Sequence, residues 1–169
     1  MQAIKYLELI LILSASTYIG ILISRKYLNR VADLKEIKNA LNIFATKIKF
    51  TYEPIPEIFK DISEKVRPNI ANVFFAASNK MQEMNASNAW IEGLEESNTS
   101  MVKEDIEILK TLSNLLGKVD IEGQVSEIEL VETFLDTQIE LAEEEKSKYV
   151  KMYKTLGVTI GLALVIILI

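Results

Sequence analysis

Two long apolar stretches, one near each end of the chain, set the main limit on what this sequence can fold into. Residues 156–169 contain no charged side chain, and residues 7–23 contain only Glu8, near their start. As helices, the two stretches would be about 21 Å and about 26 Å long. An unbroken apolar tail such as residues 162–169 is poorly suited to a water-exposed surface, so we expect both stretches to lie in a membrane.

The C-terminal stretch is short for a span, because the hydrocarbon core of a bilayer is about 30 Å thick. Met152 and Tyr153 extend its apolar length, and the Lys154 amine can reach the interface, which makes about 27 Å available. We therefore predict a second span at this end of the chain.

Basic residues flank both stretches on the side that faces the middle of the chain. Because such residues favour the cytoplasmic side, both spans predict the same topology, with the middle in the cytoplasm and the two ends outside. Lys5 is the only basic side chain on the other flank of the first stretch. The predicted membrane-flanking residues are Arg25, Lys26, Arg30, Lys148, Lys151, Tyr153 and Lys154.

A cleaved signal peptide is the alternative interpretation of the first stretch. Ser14-Ala15-Ser16 loosely resembles a cleavage site, but the apolar run continues to Ile23, which favours a retained span.

The region between the spans predicts a helical domain. Apolar residues recur there at spacings of three and four, and no segment shows the alternation of a strand. The predicted fold class is all-α: an antiparallel helical bundle of about six helices flanked by N- and C-terminal transmembrane helices. The predicted domains are residues 1–24, 25–154 and 155–169, and the predicted bundle helices cover about 31–52, 56–66, 68–81, 90–94, 102–116 and 122 onward.

The last of these helices has no internal break signal before the membrane. No proline follows Val125, and the first glycine after it is Gly157. One helix that continues into the membrane would be much longer than the usual length of about 12 residues.

Small residues four positions apart occur in both spans, Ser16 with Gly20 and Gly157 with Gly161. Such pairs let helix backbones approach closely. They predict either a packed hairpin or an oligomer seam, and the alternative is that glycine is simply common in membrane helices.

The amino-acid composition limits which kinds of catalytic and binding site the chain can contain. The chain has no Cys and no His, which removes disulfides, thiolate chemistry and histidine-based zinc binding or catalysis. A net charge of −5 argues against nucleic acid as a partner. No phosphate-binding loop motif occurs, so we expect no catalytic, metal or cofactor site.

Acidic residues on the last helix predict solvated surface. Glu143-Glu144-Glu145 point about 100° apart from one residue to the next and cannot converge on one ion. An acidic stripe can nevertheless meet a basic partner, and the candidates are Glu127, Glu129, Glu132 and Glu140.

Three ordered stretches resemble the stage III sporulation protein AB family of endospore-forming bacteria. They are Ala40-Leu41 with Ile48, Phe50 and residues 54–62; Leu115-Leu116-Gly117 with Asp120, Gln124 and Ile128; and residues 151–157 with Gly161-Leu162. The resemblance covers essentially the whole chain, although the expected proline near Val31 is absent.

The resemblance implies a domain similar to half of the type II secretion inner-membrane platform protein F. It implies a non-enzymatic platform subunit of a channel complex between mother cell and forespore, located on the mother-cell side of the outer forespore membrane. The implied partners are the stage III sporulation AA ATPase and other subunits of the complex. The lipid bilayer is expected from the two spans themselves, and the small-residue pairs leave a homo-oligomer as a possibility. Gly117, Asp120 and Gln124 are candidate partner contacts, with a capped turn between two helices as the alternative.

Two other function classes stay open. A two-span sensor or scaffold with an extracytoplasmic helical domain would require the reverse topology. An enzyme would require a buried carboxylate pair with perturbed titration.

Overall fold

The computed structural model describes residues 2–51, 53–114, 116–117 and 120–168. These residues form six α-helices and one 3₁₀-helix, and they contain no β-strand, which confirms the predicted all-α class. The helices are α1 (Gln2–Phe50), α2 (Ile55–Ser63), α3 (Pro68–Lys80), α4 (Ala86–Glu96), α5 (Lys103–Thr111) and α6 (Ile121–Leu168), with the 3₁₀-helix at Leu112–Asn114. Three residues of predicted helices, Tyr52, Leu115 and Ile169, lie outside the described residues.

The first apolar stretch and the first bundle helix form one helix, α1. The separate helix start predicted near Val31 is therefore wrong, because residues 24–30 are helical as well. The reason is visible in the sequence: no glycine or proline occurs from residue 21 to residue 53, so nothing interrupts the backbone hydrogen bonds. The resemblance leads one to expect a proline near Val31, and its absence is consistent with the uninterrupted helix.

Helix α6 is likewise a single helix. It includes residues 148–154, where a kink or loop would have separated the apolar end from the rest of the helix.

The chain divides into two compact units. The membrane unit comprises residues 1–31 and 141–169, and the bundle unit comprises residues 32–140. The predicted domain boundaries at residues 24 and 154 differ from the limits of these units, and they remain predictions.

The core of the bundle unit is built from the apolar stripes that helical spacing predicts. Phe59 lies near its centre and contacts Phe44, Phe74 and Trp90 with ring centroids 5.0, 5.0 and 5.5 Å apart. The Trp90 indole N–H donates to the carbonyl oxygen of Leu109 at 2.8 Å, and Trp90 is a fully buried core residue. Other fully buried side chains are Leu34, Ile37, Leu41, Ile58, Ile62, Ile70, Val73, Ala77, Ile128, Val131 and Leu135.

A buried carboxylate fixes the loop between α4 and α5. Asp33 is 3% exposed, and its carboxylate accepts hydrogen bonds from the backbone N–H of Ser100 at 2.8 Å and from Asn69 Nδ2 at 3.4 Å. The loop between α4 and α5 is therefore attached to α1 of the bundle unit.

Helix α5 is shorter than the predicted 102–116, because the chain tightens into the 3₁₀-helix after Thr111. Such tightening is common at the C-terminal ends of α-helices.

Candidate functional site

Within the membrane unit, α1 and α6 pack against each other at two glycines. A Cβ atom added to Gly20 would lie 2.6 Å from the carbonyl oxygen of Tyr153 and 3.0 Å from Cα of Gly157. A Cβ atom added to Gly157 would lie 2.9 Å from the carbonyl oxygen of Ser16. These gaps are too small for a side chain, so the close approach of the two backbones requires glycine on both helices.

Ser16 and Gly161 extend the same contact. The Ser16 hydroxyl donates to the carbonyl oxygen of Gly157 at 2.6 Å. A Cβ atom added to Gly161 would lie 2.9 Å from Leu13 Cδ1 and 3.2 Å from Ser16 Cβ. The structure thus brings all four predicted small residues together in a contact within one chain.

The outer surface of this helix pair is apolar. Both α1 and α6 are long and apolar enough to cross a membrane. In the apolar 18-residue windows of these helices, only 17% of α1 and 11% of α6 is buried, whereas a core helix of a soluble protein would be mostly buried. Exposed side chains include Leu7, Ile10, Leu11, Ile19, Leu162, Ile166 and Ile167.

Five of the predicted flanking charges are exposed in the membrane unit: Arg25, Lys26, Lys148, Lys151 and Lys154. Arg30 differs from them, because its side chain is only 8% exposed and its Nη1 lies 2.7 Å from Glu145 Oε2. Its charge is therefore compensated within the protein. The side chain of Lys5 lies outside the described residues.

Tyr153 belongs to a group of three tyrosines. Its ring stacks on Tyr27 at a centroid distance of 5.9 Å, and Tyr27 also stacks on Tyr149 at 5.0 Å. Tyrosine rings of this kind are enriched at membrane–water interfaces, since they combine an apolar ring with a polar hydroxyl.

The three candidate partner contacts lie at the start of α6. Gly117 has a φ of 70°, in the left-handed region that favours glycine. The Asp120 carboxylate accepts a hydrogen bond from the backbone N–H of Gly123 at 2.9 Å and so caps α6. Gln124 is 6% exposed. These residues form a capped turn, and their contact with a partner stays a prediction.

A groove between α1 and α6 of the bundle unit was not predicted from the sequence. It encloses about 210 Å³, and a neighbouring depression of about 250 Å³ shares three of its lining residues, Lys49, Val125 and Glu129. The groove is also lined by Asn42, Ala45, Thr46, Phe50 and Glu132.

Glu132 is the unusual side chain of this groove. Its Oε1 atom is buried and has no hydrogen-bond partner within the described part of the chain. Burial raises the pKa of the Glu132 carboxyl, Lys38 opposes this shift, and Asp136 and Glu129 add to it. Lys38 itself forms an ion pair with Asp136.

The expectation of an exposed acidic stripe is therefore only partly right. Glu129 and Glu140 are exposed, but Glu127 and Glu132 are half-buried. A signal for Glu132 was present in the sequence: it lies four residues after Ile128 and three before Leu135, both of which are fully buried. Residues at these spacings share one side of a helix, which places Glu132 beside the core.

A family model described as stage III sporulation protein AB matches residues 5–169. The chain belongs to the stage III sporulation protein AB family. Stage III sporulation protein AB of Bacillus subtilis (strain 168) is 27% identical over 169 residues, which is 98% of this chain and 99% of that protein.

A solved structure of stage III sporulation protein AB (SpoIIIAB) has the same fold. It matches with a TM-score of 0.67 at 22% identity, covering 71% of this chain and 98% of that chain. At this level of identity the likeness concerns the fold alone.

Among the described residues, no group of three or more Asp, Glu, His or Cys side chains could hold a metal ion. The arrangement offers instead a packed apolar helix pair, exposed basic side chains and a groove with a buried carboxylate, which are features suited to membrane attachment and protein contact.

Proposed function

We propose that the protein is a non-enzymatic platform subunit of a secretion-like sporulation complex that forms a channel between mother cell and forespore. In this proposal the bundle unit docks the stage III sporulation AA ATPase. The observation that carries the proposal is the glycine-packed, outwardly apolar helix pair in a chain that belongs to the sporulation AB family. Such a pair suits a protein whose role is to hold a bundle at a membrane.

The topology is part of the same proposal. Residues 1–24 form a short external N-terminus and the first span, residues 155–169 form the second span, and residues 25–154 lie in the cytoplasm, on the mother-cell side of the outer forespore membrane. The support is the set of exposed basic side chains that follow the first apolar stretch and precede the second, since such residues favour the cytoplasmic side.

The topology can be tested by labelling, because the chain contains no cysteine. Asn98 is exposed in the loop between α4 and α5, and Ile4 lies near the N-terminus. In vegetative cells that carry the Asn98→Cys variant in the cell membrane, a membrane-impermeant maleimide should label the protein only after permeabilisation, whereas Ile4→Cys should be labelled in intact cells. The reverse pattern would favour the sensor or scaffold with an extracytoplasmic domain.

The partner is tested with purified proteins. The full chain in detergent should retain the AA ATPase on an affinity resin and in size-exclusion chromatography. A folded full chain that does not bind the ATPase would overturn the docking part of the proposal.

A further inference from the structure

A shallow depression lies on α6 within the membrane unit, where the lysine-containing part of the helix meets its uncharged end. It encloses about 530 Å³ and is lined by Ser147, Lys148, Lys151, Met152, Thr155 and Leu156. These residues recur at spacings of three and four, so they share one side of the helix and extend over about 14 Å of its length. We call this surface the α6 depression.

The half of the α6 depression that begins at residue 147 is basic. Lys148 and Lys151 are both exposed. In the part of the chain that the structure describes, neither lysine forms an ion pair, and the Lys148 Nζ lies 5.2 Å from the ring centroid of Tyr149. The ammonium groups of both lysines are therefore available to an anion.

Few carboxylates lie near these lysines. Residues 146–169 contain four lysines and no Asp or Glu. Of the two glutamates directly before them, Glu145 is paired with Arg30, and Glu144 is exposed one turn before Lys148. Clusters of about four or more basic side chains next to a membrane span attract anionic lipids.

The other half of the α6 depression is apolar. Its side chains Met152 and Leu156 are 37% and 43% exposed. A free anion or an acidic protein segment would contact the lysines and leave this half uncovered. A phospholipid carries an anionic phosphate and apolar acyl chains in one molecule, so its chemistry matches both halves.

We propose that the α6 depression binds an anionic phospholipid, whose phosphate lies between Lys148 and Lys151 and whose acyl chain follows Leu156 toward the C-terminus. The ammonium groups donate to the phosphate oxygens, and the hydroxyls of Ser147 and Thr155 supply further donors for the headgroup and the glycerol oxygens. The inference rests on the membrane part of the proposed function and does not depend on the ATPase.

The test measures lipid binding to the purified full chain in an uncharged detergent by native mass spectrometry. Phosphatidylglycerol should bind about 10-fold more tightly than phosphatidylcholine with the same acyl chains, because only the first carries a net charge. Lys148→Gln and Lys151→Gln should each weaken the binding of phosphatidylglycerol by about 5-fold.

Lys26→Gln is the matched control. It makes the same chemical change at an exposed lysine of α1, directly after the first apolar stretch, and Lys26 does not line the α6 depression. This variant should keep the affinity of the wild-type chain. Circular dichroism and thermal unfolding establish that each variant is folded.

Inorganic phosphate distinguishes a lipid site from a site for free anions. An excess of it should not displace phosphatidylglycerol, because it covers none of the apolar half. Displacement would overturn the lipid as the occupant.

A photo-crosslinking residue in place of Met152 identifies the occupant in cell membranes. Mass spectrometry of the chain should find the added mass of a phospholipid with an anionic headgroup. A cross-link to a protein, whether an acidic partner or a second copy of this chain, would contradict the proposal.

The outcomes separate this inference from the proposed function. A chain that requires detergent but shows no preference for phosphatidylglycerol, or that loses as much affinity through Lys26→Gln, would overturn the lipid site and leave the proposed function standing. A full chain that stays in solution without detergent would overturn the membrane location, and the lipid site with it.

Discussion

Gly20 of α1 and Gly157 of α6 meet so closely that a Cβ atom on Gly157 would lie 3.1 Å from Cα of Gly20. The contact leaves no room for a larger residue on either helix. At the same contact the Ser16 hydroxyl donates to the carbonyl oxygen of Gly157, so the two helices are joined there by packing and by a hydrogen bond.

The first prediction concerns this contact. Gly157→Leu should force the helices apart and lower the free energy of unfolding by about 1–3 kcal/mol, which is the usual cost of overpacking. Val158→Leu is the control, because Val158 is the next residue of the same helix and its side chain is 39% exposed. Thermal unfolding of the full chain in detergent measures the difference, and equal melting temperatures for the two variants would contradict the packing described here.

The second prediction concerns the ion pair of Arg30 with Glu145, whose side chains are 8% and 44% exposed. Glu145→Ala should destabilise the chain by about 1–3 kcal/mol, because it removes a charged hydrogen-bond acceptor from a largely buried guanidinium. Glu144→Ala removes an exposed neighbouring carboxylate and should change stability by less than about 0.5 kcal/mol. Denaturation of both variants in the same detergent compares them, and a similar loss in both would show that the pair contributes nothing.

The third prediction concerns pH. Because burial raises the pKa of Glu132 above its unfolded value, the folded state binds the proton more tightly, and stability falls as pH rises through the unfolded and then the folded pKa. Glu132→Gln lacks this ionisation and should be more stable than wild type at neutral pH. The gain should disappear when the pH is lowered to about 4, near the ordinary value of a glutamate.

Thermal unfolding of both proteins from about pH 4 to about pH 8 tests this dependence. A difference in stability between Glu132→Gln and wild type that is the same at every pH would show that it does not arise from the ionisation of Glu132.

The fourth prediction concerns Asp33, which accepts hydrogen bonds from the Ser100 N–H and from Asn69. Asp33→Ala should destabilise the bundle by about 1–3 kcal/mol, since it leaves a donor of the α4–α5 loop without its acceptor. Asp33→Asn keeps one acceptor oxygen and should recover part of the loss. Limited proteolysis at Lys103, directly after this loop, should be faster in Asp33→Ala, and unchanged proteolysis and stability would contradict the role assigned to Asp33.

Helical spacing was sufficient to predict most of the bundle core. Leu34, Ile37, Leu41 and Phe44 are all fully buried, as their three- and four-residue spacing predicts. The glycine at residue 117 was also predictable, because a helix end often requires a residue with positive φ.

Contacts between distant residues were not predictable in the same way. The Arg30–Glu145 pair joins residues 115 positions apart, and no local pattern connects them. For this reason the sequence pattern alone predicts Arg30 to be one of the membrane-flanking charges. The groove at Glu132 depends on how α1 and α6 pack in the bundle unit, which the periodicity of one helix does not specify.

The hydrogen bond from Ser16 to Gly157 has a consequence for how the chain is made, since it joins residues 141 positions apart. The ribosome adds 141 residues after Ser16 before it reaches Gly157, so the apolar part of α1 is made long before the part of α6 that packs against it. A nascent chain that stops before Gly157 cannot form the contact between α1 and α6. Premature termination would therefore leave the apolar part of α1 without its partner helix, as a substrate for quality-control proteases.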